Sequence, residues 1–586
     1  MKIRLPRLDF GLLGRVLRIA APHRRLLIFS AFLTVIQGFL VGFQPWLIQQ
    51  TLDGYVAVGD IPGLNRMGLL LLALLLFQAG ITFLAAYLTA RTGQEVVRLL
   101  RQYVYKHLIS LRMRFFDKTP VGTSVTRTVS DIETIADLFA AGIITIAGDI
   151  FQILVILFFM FSMNWKLTLV SLSVLPLLMY AAHRFRIGVR DSFQDVRNQV
   201  ARLNAFVQER ITGMQVVQLF NREEAEYTRF ESINRAHRDA NIRGVFYYAI
   251  FFPIVEVIVA LTFALLVWYG GSGMLEGKVA FGELTAFILF INLFFRPVRA
   301  VADRFNNIQM GLVAADRIFK LIDENHNQET EGQVSLGKAR GEIAFRQVHF
   351  AYNEGEEVLH GLDFELPAGK TLAIVGPTGA GKSSVISLLS RLYGHHAGEI
   401  LLDGLPVQEY KLEDLRRNIA VVLQDVFLFS GSVEENIRMK AEDIDPARIE
   451  AVAREIGAYD FIGRLPGGFA YNVMERGSAL SVGQRQLISF IRALSADPAV
   501  IVLDEATSSV DTETEQLIQQ AIARMLQGRT GIVIAHRLST IRHADHILVL
   551  DRGRRVQWGT HDELLAQEGL YRELYQSQFK NQSGGG

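Results

Sequence analysis

The eight residues GPTGAGKS, positions 376–383, have the types and spacing of a loop that binds phosphate. They follow the apolar run TLAIV and precede SVISLLSRL, which is the strand–loop–helix setting that such a loop requires. Glycines allow the backbone to approach an anion closely, and the loop N–H groups and the helix N-terminus then face it. Lys382 is expected to reach the β- and γ-phosphates, and Ser383 to bind Mg²⁺. The residues expected to hold the nucleotide phosphates are Gly376, Pro377, Thr378, Gly379, Ala380, Gly381, Lys382, Ser383 and Ser384.

Two adjacent carboxylates, Asp504 and Glu505, lie in the segment AVIVLDEATSSVD. The apolar residues before Asp504 predict a buried strand that ends in a carboxylate, which is placed to hold the Mg²⁺ shell. Glu505 is a candidate general base that orients or deprotonates the attacking water. The alternative for Glu505, a solvated loop carboxylate, is disfavoured because Asp504 precedes it and the chain also has a phosphate loop.

Three more residues stand where a nucleotide site needs polar or aromatic groups. His536 ends the apolar run GIVIAH and Gln424 ends VVLQ, so both are expected at the carboxyl edge of a sheet, where ligands bind. We interpret His536 as a sensor of the γ-phosphate. The amide oxygen of Gln424 is expected to contact Mg²⁺ or the attacking water. Tyr352, in HFAYNEGEE, is a candidate for stacking on adenine, and ordinary packing is an equally favoured alternative.

The elements that must position these residues begin near residue 340. Short β-rich runs there alternate with helical segments, which predicts an α/β domain with a largely parallel sheet. We expect this domain to span residues 341–580, after a polar linker at 323–340 and before a tail at 581–586. The chain has 586 residues, which is too long for one core.

The composition also limits the classes of protein that fit. Half of the residues are hydrophobic and the net charge is only +1, so overall charge gives no argument for nucleic-acid binding. Cysteine is absent, which excludes disulfides, thiolate metal sites and a cysteine nucleophile. The basic, amphipathic start predicts no cleaved signal peptide, and residues 10–20 suit a helix on a membrane surface.

The first 322 residues are expected to form a membrane domain. Six apolar runs have about the ~20 residues that a helix needs to cross a bilayer. A soluble bundle is disfavoured because runs this apolar would aggregate in water. The connectors at 91–127 and 183–243 are rich in Arg and Lys, so the positive-inside rule puts them, both termini and the α/β domain in the cytoplasm. Short polar turns are expected within DKTPVGTSVTR and LNAFVQERITGMQVV.

Together these motifs resemble the ATP-binding cassette superfamily, and the six preceding spans resemble an ABC exporter half-transporter over almost the whole chain. The implied fold is an all-α six-helix transmembrane domain with long cytoplasmic helical extensions, followed by an α/β P-loop nucleotide-binding domain with a helical subdomain. In family terms Tyr352 is similar to the A-loop aromatic, Gln424 to the Q-loop and His536 to the H-loop. Asp504 and Glu505 resemble the end of Walker B, and Asp511 the end of the D-loop.

The resemblance implies a mechanism and partners. Residues 376–383 resemble the Walker A loop. Two cassettes would close on two molecules of ATP with Mg²⁺, each held between the Walker A loop of one cassette and the signature of the other. The signature residues implied to bind nucleotide are Ser481, Gly483 and Gln484. Closure would drive the spans from inward-facing to outward-facing, and hydrolysis would reset them. Residues 117–127 and 203–217 would be the coupling helices that contact the cassettes.

Val482 departs from the family pattern, because LSVGQ has valine where the signature has glycine. A branched side chain fills space and disfavours positive φ, so we expect altered closure on the ATP that this loop faces. This chain's own Walker residues are complete, and the combination resembles the catalytic-glutamate subunit of bacterial heterodimeric multidrug exporters. A heterodimer is therefore expected, with a homodimer as the alternative.

Two charged residues of the spans are candidates for contact with cargo. Glu256 lies in FFPIVEVIVALTF, where a carboxylate usually faces a bundle interior or a water-filled cavity. It would favour cationic or amphipathic cargo, and a structural pair with another span is the alternative. Arg296, near the end of the sixth span, faces either the cavity or a membrane interface.

The leading functional interpretation is ATP-driven export of drug-like or lipid-like compounds across the cytoplasmic (inner) membrane. The alternatives are a homodimeric lipid or drug flippase, a membrane-anchored ATPase without vectorial transport, and an ATP-gated channel. The complete catalytic set argues against a pure channel.

Overall fold

Two compact units make up the chain in the computed structural model. It describes residues 10–19, 21–137, 144–324, 332–353, 355–439, 444–504, 512–534 and 541–579. One unit comprises Met1–Ile109 and Val121–Glu324, and the other comprises Ser110–Pro120 and Asn325–Gly586. The sequence placed residues 110–120 in the membrane domain, whereas they pack within the second unit.

The first unit is helical. The long apolar runs become helices because their backbone groups can all be satisfied within the segment, as a bilayer requires. Its helices are α1 (Phe10–Ile19), α2 (Arg24–Thr51), α3 (Ile61–Ile109), α5 (Val121–Thr128), α6 (Ser130–Asp137), α7 (Ile144–Met163), α8 (Trp165–Leu172), α9 (Leu175–Thr212), α10 (Met214–Leu219), α11 (Glu223–Leu275) and α12 (Phe281–Ile322). Helix α4 (Met113–Lys118) belongs to the second unit.

Within the described ranges, five helical segments are long and apolar enough to span a membrane: Ala21–Val56, Ile61–Ile109, Ile144–Met163, Trp165–Thr212 and Glu223–Leu275. The sixth apolar run of the sequence lies in the first half of α12. The predicted helical transmembrane domain is thus confirmed.

Close helix packing and a few polar contacts hold the helical unit together. Helix α2 approaches α7 so closely that a Cβ on Gly42 would lie 2.6 Å from Val155 Cγ1. The carboxylate of Asp53, just past α2, accepts a hydrogen bond from the backbone N–H of Gly282 at 2.7 Å, at the start of α12. At the other end of α12, Arg15 donates two hydrogen bonds of 2.7 Å to the Asp323 carboxylate. Both ends of α12 are therefore tied to other segments.

The expected cytoplasmic turns differ from the structure. Residues 203–212 are the last turns of α9, and the chain breaks only at Gly213, between α9 and α10. The segment at 117–127 is mostly helical too, with α4 and α5 separated by Thr119 and Pro120. The predicted turns are therefore confined to Gly213 and to Thr119 and Pro120, and most of each segment is helical, as the family resemblance implies.

The second unit is built on two sheets. Its strands are β1 (Ile343–Asn353), β2 (Glu356–Leu366), β3 (Thr371–Val375), β4 (Ala397–Leu402), β5 (Leu405–Pro406), β6 (Ile419–Val422), β7 (Val500–Asp504), β8 (Thr530–Ile534), β9 (His546–Asp551) and β10 (Arg554–Gly559). Among the described residues, one sheet has the order β2-β1-β4-β5 and is antiparallel, and the other has the order β10-β9-β3-β8-β7-β6. From β9 to β6 the second sheet is parallel, so the predicted α/β domain is confirmed.

Helices cover the sheets, and some of them form a subdomain around α18 (Val482–Ser495). They are α13 (Lys382–Leu389), α14 (Leu412–Asn418), α15 (Val433–Arg438), α16 (Pro446–Glu455), α17 (Tyr459–Arg464), α18 (Val482–Ser495), α19 (Thr512–Leu526), α20 (His561–Ala566) and α21 (Leu570–Phe579). Buried residues of α18, such as Ile488 and Phe490, pack in one core with Ile501 of β7. The helical subdomain and the parallel sheet therefore share a core.

Part of the expected linker is fixed to the second unit. The N–H of Ala339 donates to Asn418 Oδ1 at 2.8 Å, and Asn418 Nδ2 donates to the carbonyl of Gly337 at 2.8 Å and to that of Asp414 at 3.0 Å. Asn418 is buried, so these three bonds replace the water that it loses.

We predict that Asn418→Ala lowers the free energy of unfolding of the second unit by about 1–3 kcal/mol, because it leaves buried backbone groups unsatisfied. Thermal unfolding of the purified protein measures this. Asn353→Ala, at an exposed strand end, is the matched control and should have little effect. Equal unfolding temperatures for the two variants would contradict the prediction.

Candidate nucleotide site

The phosphate loop lies between β3 and α13, as its sequence context predicts. Gly376 is held against β9, where a Cβ would lie 2.1 Å from the carbonyl oxygen of Leu550. Gly381 has φ +98° and a Cβ there would lie 2.8 Å from Leu359 Cδ2. Side chains at either position would displace the loop, so glycine is required for both space and conformation.

Lys382 points back into the loop from the first position of α13. Its Nζ donates to the carbonyl oxygens of Gly376 at 2.7 Å and Pro377 at 2.9 Å. Burial lowers the pKa of Lys382, and the nearby carboxylate of Asp504 opposes that shift. The ammonium group is thus held at the loop, where phosphate oxygens are stronger acceptors than the two carbonyls.

The carboxyl edge of the parallel sheet collects the polar candidates. Asp504 is the last residue of β7, and Gln424 follows β6, the neighbour of β7. Strand β8 separates β7 from β3 and the phosphate loop. Ser383 is exposed at the start of α13, so its hydroxyl is accessible at the same edge. The set of carboxylate, amide and hydroxyl oxygens is the type that Mg²⁺ prefers.

Three candidates, Glu505, Asp511 and His536, lie outside the described residues. In sequence, Glu505 directly follows Asp504, and His536 comes two residues after β8. Their roles remain predictions.

Tyr352, at the end of β1, contacts the loop region through its hydroxyl. That oxygen lies 3.1 Å from Ser384 Oγ. The ring packs edge-on against Phe350 and Tyr393, with centroids 4.7 Å and 5.0 Å away. Tyr352 is only partly buried, so packing and contact with a base are compatible in one side chain.

The signature segment caps α18. Ser481 Oγ accepts a hydrogen bond from Gln484 N at 3.2 Å, and Gln484 Oε1 accepts one from Ser481 N at 2.9 Å. This capping box leaves Ser481 exposed at the helix N-terminus, a position that attracts anions. Gly483 is buried beneath it.

Val482 is the first residue of α18 and has no left-handed backbone conformation. The expectation that valine would oppose a positive φ is therefore wrong for this turn, because a helical first residue has negative φ. The bulk of the side chain remains, and it is 48 % exposed beside Ser481. Any effect of Val482 on closure must come from that exposed side chain.

Sequence reasoning missed Arg492 and Asn436, which hold the loop after Gln424. Arg492 Nε of α18 donates to the Asn436 carbonyl at 2.7 Å, and Asn436 exchanges two hydrogen bonds of 2.8 Å with the backbone of Phe429. Burial lowers the pKa of Arg492. The sequence does contain a sign of this contact: Arg492 lies among apolar residues of α18, and a buried arginine requires hydrogen-bond acceptors.

The cargo candidates belong to the helical unit. Glu256 of α11 and Arg296 of α12 are exposed on their helices in the single chain. Neighbouring Val255 and Ile258 are buried, so Glu256 points away from the packed core of this chain.

We predict that Gly376→Ala abolishes ATP binding, because its Cβ would overlap the Leu550 carbonyl, a backbone atom that cannot rotate away. Gly379→Ala is the matched control: Gly379 also has positive φ, +82°, but a Cβ there meets nothing within 4 Å. Titration with a fluorescent ATP analogue should show at most about a tenfold loss for Gly379→Ala. Equal losses in both variants would show that φ, not the contact with Leu550, is the constraint.

Comparison with known proteins agrees with this geometry. The family model of the ABC transporter transmembrane region matches residues 27–298, and that of the ABC transporter matches residues 359–508. Among curated relatives, a "Probable multidrug resistance ABC transporter ATP-binding/permease protein YheH" of Bacillus subtilis (strain 168) is 37 % identical, over 89 % of this chain and 77 % of its own. An "ATP-dependent lipid A-core flippase" of Desulfotalea psychrophila is 33 % identical, over 95 % of this chain and 97 % of its own.

A solved structure is similar over nearly the full length. It is described as a bacterial Atm1-family ABC exporter with ATP bound, with a TM-score of 0.77 and 29 % identity over 95 % of this chain and 98 % of that one. Because both family models and full-length relatives match one chain, this protein belongs to the ABC exporter half-transporters, membrane proteins that couple ATP hydrolysis to transport.

Proposed function

We propose that the protein exports drug-like or lipid-like amphipathic compounds across the cytoplasmic membrane by alternating access, as one subunit of a heterodimer. The observation that carries the proposal is the phosphate loop of residues 376–383, joined at one sheet edge by Asp504 and Gln424, on a chain with apolar helices. The Arg- and Lys-rich connectors support a cytoplasmic position for the cassette. YheH and the lipid A-core flippase are named for drug and lipid cargo, which supports this substrate class.

In this proposal the loop residues and Lys382 bind the phosphates of ATP, and the base stacks on Tyr352. Ser383, Asp504 and Gln424 would hold Mg²⁺, and the ion would supply positive charge to neutralise the phosphates. Glu505 orients or deprotonates the attacking water, and His536 contacts the γ-phosphate. Their places in sequence, directly after β7 and just past β8, support these roles.

The site needs a second cassette to be complete. Ser481 and the N-terminus of α18 are exposed, so they are available to an ATP held by a partner. ABC exporters work as dimers, and helix α10 supports one here: Met214, Val216 and Leu219 are exposed on a helix of only six residues. Such an apolar surface on a cytoplasmic connector is expected to be covered by a partner.

The proposal of a heterodimer depends on the side chain of Val482. A partner with glycine at this position would give this chain's Glu505 a complete signature, while Val482 would crowd the ATP of the partner's Walker loop. Only one of the two ATP sites would then contain the altered signature. In a homodimer both sites would carry it.

We expect native mass spectrometry of the gently purified complex to show a second, different subunit of similar mass. Val482→Gly should strengthen labelling of that subunit by an azido-ATP analogue by roughly tenfold, because removing an overpacked side chain releases about 1–3 kcal/mol. Val556→Gly, at a valine of similar exposure on β10, is the control. A dimer of this chain alone would contradict the heterodimer, and unchanged labelling would contradict the role of Val482.

Glu256 is proposed to face the transport cavity and to favour cationic cargo. Its exposure on α11, away from the buried Val255 and Ile258, supports this, since a carboxylate is not stable against lipid tails. Arg296 is proposed to line the same path.

We predict that Glu256→Gln reduces uptake of a cationic amphipathic dye into inverted vesicles by roughly fivefold, as expected for loss of about 1 kcal/mol of charge attraction. Glu276→Gln, which removes an exposed ion pair with Lys278 beyond α11, is the control. Unchanged uptake of every cation tested would refute the cavity role. ATP hydrolysis without any ATP-dependent accumulation would favour the membrane-anchored ATPase instead.

A further inference from the structure

The segment 110–120 lies between two helices of the helical unit in sequence, yet it packs within the second unit. Its helix α4 buries Phe115, which is 3 % exposed. A cavity of about 200 Å³ lies beside it, lined by Met113 and Phe116 of this segment and by Arg391, Tyr393 and Arg416 of the cassette. Helix α4 is therefore seated on the cassette of its own chain.

Tyr393 joins α4 to the aromatic residues of β1. Its hydroxyl donates a hydrogen bond to the carboxylate of Asp117, the fifth residue of α4. Its ring packs edge-on against Tyr352, with a centroid distance of 5.0 Å and an interplanar angle of 84°. Tyr393 thus contacts both α4 and Tyr352, whose hydroxyl lies beside Ser384.

Both tyrosines have a rigid support. Phe350 is 1 % exposed and packs edge-on behind Tyr352 at 4.7 Å and Tyr393 at 6.0 Å. Buried Arg391 fixes the backbone two residues before Tyr393, because its Nη1 donates to the carbonyls of Val407 at 3.1 Å and Tyr410 at 2.9 Å. The two rings therefore pack against the same buried side chain.

We infer that Tyr393 is a positioning residue that couples adenine binding at Tyr352 to the position of α4. This inference rests on the proposed role of Tyr352 in stacking on adenine. A base on the free face of Tyr352 fixes the orientation of that ring, and the edge-on contact transmits the orientation to Tyr393. The hydroxyl of Tyr393 then carries it to Asp117, and so to the helix that leads into α5. The position of α4 would then depend on the base of the nucleotide as well as on its phosphates.

The test uses the absence of cysteine in this chain. Exposed Lys118 is replaced in Lys118→Cys and labelled with an environment-sensitive thiol dye, in the full transporter reconstituted in lipid nanodiscs. The dye signal is followed during titration with MgATP and, separately, with magnesium tripolyphosphate, which has the phosphates but no base. Each is raised until it displaces a fluorescent ATP analogue, so that binding is verified independently of the dye.

We expect ATP to change the dye signal and tripolyphosphate to change it at least fivefold less. In Tyr393→Phe, which keeps the ring but loses the hydroxyl, the response to ATP should fall by at least fivefold, the lower range of measured site-to-site couplings, while ATP still displaces the analogue. Asp117→Ala, at an exposed side chain, removes the acceptor and should have the same effect, and the double variant should lose no more than either single one. Tyr459→Phe, at a partly buried cassette tyrosine outside this cluster, should respond like the labelled parent.

Failure of this inference is distinct from failure of the proposed function. If ATP binds but tripolyphosphate gives an equal dye response, or if Tyr393→Phe and Asp117→Ala respond fully, the coupling through Tyr393 is overturned and the nucleotide site stands. If the labelled parent binds no ATP, the proposed function itself is wrong, and the coupling with it.

Discussion

The close approach of Gly376 to the backbone carbonyl of Leu550 is the constraint on which the nucleotide site depends. Strands β3 and β9 pair in parallel up to Val375 and Val549, so the chain leaves β3 directly against its neighbour. Only a residue without a side chain can turn there. This turn fixes where α13 begins, and therefore where Lys382 and Ser383 lie.

The rest of the site is assembled by loops that share this sheet edge. Asp504 and Gln424 reach it because β7 and β6 are parallel and adjacent, so their carboxyl ends meet. Arg492 adds a connection that strand order does not provide, since it ties the signature helix to the loop after Gln424. A nucleotide that moves Gln424 would therefore act on α18, whose N-terminus is exposed.

Helix α4 packs on the cassette, although in sequence it lies between two helices of the membrane domain. Its seat consists of an apolar contact through Phe115 and a hydrogen bond from Tyr393 to Asp117. The aromatic rings between that bond and Ser384 form a short path of packed side chains. Contiguous packing of this kind is the physical requirement for one site to influence another, and substitution at Tyr393 tests it directly.

The amino-acid sequence by itself determined the apolar helices, the strand–loop–helix at residues 376–383 and the parallel α/β domain, because each rests on local periodicity and on turn chemistry. It also predicted that Asp504 and Gln424 lie at the carboxyl edge of the sheet, because each follows an apolar strand in sequence. The tertiary structure alone decided that α9 continues to Thr212, that Val482 is the first residue of a helix, and that residues 110–120 pack with the cassette. It also brought together Tyr393 and Asp117, which are 276 residues apart. Such contacts depend on how distant surfaces pack, and no pattern within one segment encodes the shape of its partner.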